Sequence, residues 1–259
     1  MKGFIMLKKK ITQCIIILIL TIFIFLGMSF KVSKMTPYVN LININIIILI
    51  ISSNIFLLFI NFNNRILKGL VDLISFSAIS YLSLCIIFGF IVIPSNVSQS
   101  SMYPTLENND QVLVYHLNYI PKINDVVVIK VSDQNYPNIP KNNDLETSNL
   151  LDSFYVKRIY GIPGDEVSFT KSDESSNIFK LLINGVEVLS PLSSPYFINL
   201  GQKELLESQL INNLIPMEKY FVLGDNPELS LDSRSFGLVS RSDIIGTVVF
   251  KLWNFEVIK

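Results

Sequence analysis

Three long apolar runs fill the first third of the chain, at Ile11 to Phe30, Leu41 to Phe62 and Leu70 to Ile93. Each is long enough to cross a bilayer as a helix, which takes about 20 residues. The middle run carries Asn43, Asn45, Ser52, Ser53 and Asn54, so an interfacial or re-entrant segment competes with a full crossing there. Beyond residue 94 the pattern changes to short runs rich in Val, Ile, Phe and Tyr. These lie at Gln111 to Tyr115, Asp125 to Val131, Phe154 to Tyr160, Tyr220 to Leu223 and Ile244 to Leu252, bounded by Pro, Gly, Asn and Asp, and they predict strands. Ile178 to Ile183 and Val186 to Leu189 flank Asn184-Gly185, the favoured pair of a type I′ turn, and predict a hairpin. The spacing of Leu205, Leu206 and Leu210 predicts a helix over Gln202 to Asn213. The polar stretch Ser132 to Ser153, with Pro137 and Pro140, predicts a surface loop.

The chain therefore divides into a membrane anchor, residues 1–94, and a mainly β domain, residues 95–259, large enough for its own core. Charge follows the same division. Residues 1–94 hold eight Lys and Arg against one acid, Asp72, and residues 95–259 hold thirteen basic against twenty acidic residues. An acidic domain offers no concentrated basic face, so nucleic acid is excluded as a partner and membrane lipid is expected as one. Lys8, Lys9 and Lys10 precede the first run and hold the N-terminus in the cytoplasm. Three crossings then place residues 95–259 outside, as expected of a multi-pass protein of the cell membrane. Arg65 and Lys68 in the second loop agree with this, while Lys31 and Lys34 in the first loop oppose it. The first run resembles a cleavable signal peptide in its basic and apolar regions. Ala78 is the only alanine, however, so no Ala-x-Ala site exists and the run is read as an uncleaved anchor.

Candidate chemistry is narrowed first by scarcity. Cys14 and Cys85 both fall in apolar runs and read as packing residues, and the β domain has no cysteine, so a thiol nucleophile and a disulfide framework are excluded there. His116 is the only histidine, which leaves a Ser-His-Asp arrangement or a histidine-bearing zinc site without its usual companions. No metal or cofactor is expected. Serine can instead be activated by a neutral lysine if burial brings the ammonium pKa toward the working pH. In Tyr-Val-Lys-Arg-Ile, period-two alternation puts Tyr155, Lys157 and Ile159 on one face and Val156 and Arg158 on the other. Lysines in strands are more often solvated edge residues, so Lys157 alone does not decide the chemistry.

Four strings taken together do more. Ser-Met-Tyr-Pro-Thr-Leu from Ser101, Tyr-Val-Lys-Arg-Ile-Tyr-Gly-Ile-Pro-Gly-Asp around Lys157, Gly-Asp-Asn at 224 to 226 and Ser-Leu-Asp-Ser-Arg at 230 to 234 resemble the boxes of bacterial type I signal peptidases. The resemblance implies an antiparallel β peptidase domain preceded by transmembrane helices, with Ser101 as nucleophile and Lys157 as general base. Ser230 matches the serine that orients the lysine amine, and Asp232 with Arg234 a buried ion pair bracing the site. Gly224, Asp225 and Asn226 match the turn leading into it. The oxyanion would be held by the Ser101 backbone amide and a second donor; here the chain departs from the family, with Gln99 where many relatives carry serine or glycine, and either its side-chain amide or the neighbouring backbone would serve. Val97, Met102, Leu106, Tyr155 and Val156 would line shallow pockets that admit small side chains before the scissile bond.

The implied substrates are signal peptides of secretory precursors, bound as an added strand, with the protein translocase as a further partner. Departures lie in Pro227, Glu228 and Leu229, where Arg-Asp-Asn is common, in Phe236 for Trp or Tyr, and in Asn109 for glycine. A repressor-type autoprotease shares the Ser/Lys pair but needs an Ala-Gly bond, which this chain lacks. The other alternative is a catalytically inactive membrane homologue that binds signal peptides or assembles with the translocase.

Overall fold

A computed structural model of the chain describes residues 2–29, 50–51, 65–131, 136, 153–173 and 176–258. The middle apolar run, apart from Ile50 and Ile51, and most of the polar stretch 132–153 lie outside the described residues. Two compact units result, one of residues 1–93 with 116–118, the other of residues 94–115 with 119–259.

In the first unit, helix α1 (Lys2–Ser29) packs on helix α2 (Arg65–Ile86), which continues as a π-helical turn over Ile87–Ile91. Ile17 and Ile24 of α1 meet Ala78, Leu82 and Cys85 of α2. Other apolar side chains face outward, among them Ile15, Ile19, Phe23, Leu73 and Phe76. Among the described residues one helical stretch, Gly69–Ile91, is long and apolar enough to cross a membrane, and Lys10–Ile24 is a shorter apolar one. Cys14 and Cys85 lie within the helices and form no disulfide.

The second unit is mainly antiparallel β. Its larger sheet contains β1 (Val92–Asn96), β2 (Gln111–Tyr115), β3 (Val126–Val131), β4 (Ser153–Gly161), β9 (Lys219–Leu223), β10 (Val239–Ser240), β11 (Ile244–Lys251) and β12 (Glu256–Val257). The strand order is β1-β2-β11-β3-β4-β9-β10, with β12 paired to β11. The smaller sheet is built from β5 (Val167–Lys171), β6 (Ile178–Ile183), β7 (Val186–Glu187) and β8 (Phe197–Asn199), with β6 pairing all three others. Asn184 and Gly185 join β6 to β7 with φ of 52° and 76°, the two positive angles that a type I′ turn requires.

Central strands explain the buried character of the site. β4 pairs with β3 on one side and β9 on the other, with Val127 opposite Lys157 and Leu223 opposite Arg158. One core cluster gathers Val127, Ile129, Ile159, Val222 and Val239 from this sheet. A second joins Leu181, Tyr196 and Ile198 of the smaller sheet and its flank to Phe221, Leu223 and Leu238.

The helix expected over Gln202 to Asn213 is shifted. Helix α3 spans Leu200–Gln209, because Asn199 caps it reciprocally with Gln202, and Leu210 is already extended. Asn212 and Asn213 take φ of 53° and 64°, which no α-helix accommodates. Short strands β1, β5, β8, β10 and β12 were not expected. β1 takes Val92 and Ile93 from the end of the third apolar run.

Candidate active site

Ser101 begins a tight turn, with the Tyr103 amide donating to the Ser100 carbonyl and the Leu106 amide to that of Met102. Met102 and Leu106 are fully buried and pin this turn to the core. Lys157 reaches the same point from the middle of β4. Its Nζ lies 2.8 Å from Ser101 Oγ and donates to the Val156 carbonyl at 3.0 Å. A neutral amine has two N–H donors and one lone pair, so with one N–H committed to Val156 the lone pair is available to the Ser101 hydroxyl.

Only 1% of the Lys157 surface is exposed, although lysine is among the residues least often buried. What covers this face of β4 explains it, since the Ser101 turn, the Tyr155 ring and the segment carrying Asp232 and Arg234 all lie against the lysine side chain. Burial pulls its pKa down to about 8, with Asp232 and Asp225 opposing the shift and Arg234 adding to it. The Tyr155 ring, on the same face of β4, lies 5.5 Å from Nζ. An amine with a pKa of about 8 next to a serine hydroxyl has the protonation balance of a general base.

The segment 224–234 closes the site from the other side. The Asn226 amide donates to the Ser101 carbonyl at 3.0 Å. Gly224 packs so closely that a Cβ there would stand 2.5 Å from the Ser101 carbonyl oxygen and 2.2 Å from Ser230 Oγ, which excludes any side chain. The Gly224 amide donates to Asp232 Oδ2, and Asp232 takes both guanidinium arms of Arg234 at 2.9 Å, in full burial. The ion pair implied by the resemblance is thus present as geometry. Ser230 Oγ is buried beside Gly224 and makes no hydrogen bond, so the lysine contacts are with Ser101 and Val156 and not with Ser230.

A second ion pair was not read from the sequence. Arg158 grips Asp225 through Nε at 2.9 Å and Nη2 at 2.7 Å, and gives Nη1 to the Asn124 carbonyl at 2.8 Å. Thr105 donates to the same carboxylate at 2.5 Å and accepts from Arg158 Nη2 at 3.1 Å. Three segments therefore meet at one node, namely the turn of Ser101, the strand of Lys157 and the turn of Gly224. The only available signal was an Arg next to the lysine, on the opposite face of the same predicted strand.

The remaining predicted positions are scattered in character. Val97 is buried, and Tyr155 and Val156 are half-buried. Gln99 is exposed with φ of 77°, and its backbone amide is held by Asn108 Oδ1 at 3.0 Å. Asn109 also has a positive φ, 71°, which asparagine tolerates better than most residues. His116 is buried, and desolvation pushes its pKa down to about 4. Among the described residues no group of acids, histidines and cysteines is arranged to hold a metal ion.

A family model described as signal peptidase, peptidase S26, matches residues 70–253. The chain belongs to this family. Signal peptidase IB of Staphylococcus aureus is 34% identical over 205 residues, covering 74% of this chain and 94% of the relative. Signal peptidase I of Bacillus caldolyticus is 32% identical over 170 residues, 62% of this chain and 79% of the relative. A crystal structure of a signal peptidase I from Enterococcus faecalis V583 matches at 25% identity with a TM-score of 0.30, covering 50% of this chain and 98% of that one. The family match takes in both ion pairs and the Ser101 and Lys157 strings, and it also takes in most of α2.

Proposed function

We propose that this chain is a signal peptidase I, a membrane-bound serine endopeptidase that removes signal peptides from exported precursors after small residues. Ser101 is the nucleophile and Lys157 the general base. The observation that carries the assignment of roles is the 2.8 Å contact between Lys157 Nζ and Ser101 Oγ in a site where burial lowers the amine pKa. Neutral Lys157 takes the Ser101 proton as Oγ bonds to the substrate carbonyl carbon. The resulting oxyanion is met by the Ser101 backbone amide and a second donor, for which Gln99 is the candidate. The ammonium then returns the proton to the leaving amine, and the C–N bond breaks. In the second half Lys157 takes a proton from water as its oxygen attacks the acyl carbon, and returns it to Ser101 Oγ as the ester C–O bond breaks.

Val97, Met102, Leu106, Tyr155 and Val156 are assigned to the pockets of the substrate strand, and Ser230 to orientation of the amine once substrate is bound. Gly224, Asp225, Asn226, Asp232 and Arg234 are assigned to support. The membrane part is read as three crossings with a cytoplasmic N-terminus, supported by the candidate span Gly69–Ile91 and by Lys8 to Lys10. Lipid and the translocase are the expected neighbours.

The test is cleavage of a precursor bearing Ala-x-Ala by the full chain in detergent, across about pH 6 to 10, beside Ser101→Ala and Lys157→Ala. Activity is expected in the parent alone, rising about tenfold per pH unit below pH 8 and levelling above it, as Lys157 loses its proton. Gln99→Ala in the same series is expected to lower kcat by roughly 10²-fold, the cost of a lost oxyanion donor. A folded parent that cleaves no precursor would leave the peptide-binding homologue as the better account.

A further inference from the structure

The smaller sheet has no string in common with the boxes that define the site, yet one of its residues reaches into it. Tyr196, just ahead of β8, has no exposed surface. Its hydroxyl donates to the Gly224 carbonyl at 2.8 Å, and its ring lies under Arg234, with Cζ 5.2 Å from the centroid. Tyr160, three residues beyond Lys157 on β4, places its hydroxyl 3.1 Å from that of Tyr196 and its ring edge-on at 5.5 Å.

These contacts close a circuit. Tyr196 holds Gly224 by the carbonyl, Gly224 holds Asp232 by its amide, Asp232 holds Arg234, and Arg234 rests on the Tyr196 ring. Two members of the circuit, Asp232 and Arg234, are charges acting on Lys157, and a third, Gly224, lies against the Ser101 carbonyl. The other groups facing Lys157 are Asp225 and the Tyr155 ring, neither of which bonds to Tyr196.

We propose that Tyr196 is a positioning residue for the Ser101–Lys157 pair, through which the smaller sheet fixes the Gly224 turn and the Asp232–Arg234 ion pair. The proposal rests on the catalytic reading given above. Without the hydroxyl, the Gly224 carbonyl is left buried and unsatisfied, and the turn must move to find another donor. Movement of Gly224 withdraws its amide from Asp232, whose carboxylate then acts more strongly on the nearby ammonium. The apparent pKa of Lys157 rises as a result, and less of it is neutral at a given pH.

The experiment compares parent, Tyr196→Phe, Tyr196→Leu, Ser101→Ala and Lys157→Ala as full chains in detergent, with circular dichroism confirming folding and kcat and KM measured across pH. Tyr196→Phe is expected to lower kcat roughly tenfold with KM nearly unchanged. The pH midpoint of kcat should move upward by roughly half a unit or more. Tyr196→Leu, which also removes the platform under Arg234, should move it further. Unchanged kcat and midpoint in folded Tyr196→Phe overturn the proposal while leaving the catalytic reading intact. A loss of activity with an unmoved midpoint also overturns it, because reduced folding lowers the active fraction without changing the base. Retained cleavage by Ser101→Ala or Lys157→Ala would instead overturn the reading beneath it. Should Tyr196→Phe not fold, Tyr160→Phe takes its place. That variant removes the hydroxyl that donates to Tyr196 Oη and so weakens the cooperative bond from Tyr196 to the Gly224 carbonyl, and a smaller upward shift is expected, with no shift overturning the proposal.

Discussion

Lys157 is held where a lysine is costly to hold. Its pKa of about 8 lies below that of an ordinary lysine, near 10.4. Between those two values the unfolded chain carries a proton that the folded chain has released. Stability therefore rises with pH through this window, and below pH 8 the folded chain bears a buried ammonium at the full cost of its desolvation. Lys157→Met is expected to abolish cleavage and to raise stability below pH 8 by on the order of 3 kcal/mol, the linkage equivalent of the shift. The difference from the parent should vanish toward pH 10.4, and unfolding followed by circular dichroism at several pH values checks both points. A parent whose stability is flat across the window would show that Lys157 is better solvated than its burial implies. The residue itself was legible by alternation with Tyr155 and by resemblance, but its burial was not. Nothing in Tyr-Val-Lys-Arg-Ile tells a central strand from an edge, and that choice depends on β3 and β9, which arrive from residues 126–131 and 219–223.

At the scale of elements, the strands with strong alternation were legible almost to the residue. The hairpin at Asn184-Gly185 was fixed by local turn chemistry alone. The short strands β5 and β8 were not, since Val167 and Phe169 are the only apolar residues of β5 and the three residues of β8 give too little periodicity to read. The same limit hid Tyr196, whose role comes entirely from a turn 28 residues away. Arg158 was seen in the sequence, but without its partner, because pairing with Asp225 requires β4 and β9 to be neighbours. That pair joins three elements, so breaking it should cost more than one hydrogen bond. Arg158→Ala is expected to lose about 3–5 kcal/mol, the price of a buried carboxylate left alone. Arg158→Met combined with Asp225→Leu should lose less than Arg158→Ala alone. A single substitution within about 1 kcal/mol of the parent, by thermal unfolding, would mean that water reaches Asp225.

The whole molecule is organised by its division of charge and hydropathy, which was plain from composition: a basic, apolar first third and an acidic, β-rich remainder. What composition leaves open is the number of crossings, since parity sets the side on which the peptidase domain lies. With Cys14 and Cys85 changed to serine, a single Asn254→Cys on an exposed turn offers a direct reading. Three crossings predict that a membrane-impermeant maleimide labels it in intact cells. Labelling only after lysis would place the domain inside and require an even number.

The node at which Thr105, Arg158 and Asp225 meet also sets an order of events in synthesis. The chain is made from its N-terminus, so Ser101 and Lys157 are both present once residue 157 has emerged, but the segment that closes over them, 224–234, is made about 70 residues later. A nascent or truncated chain ending before it carries both reactive groups without the geometry that unites them.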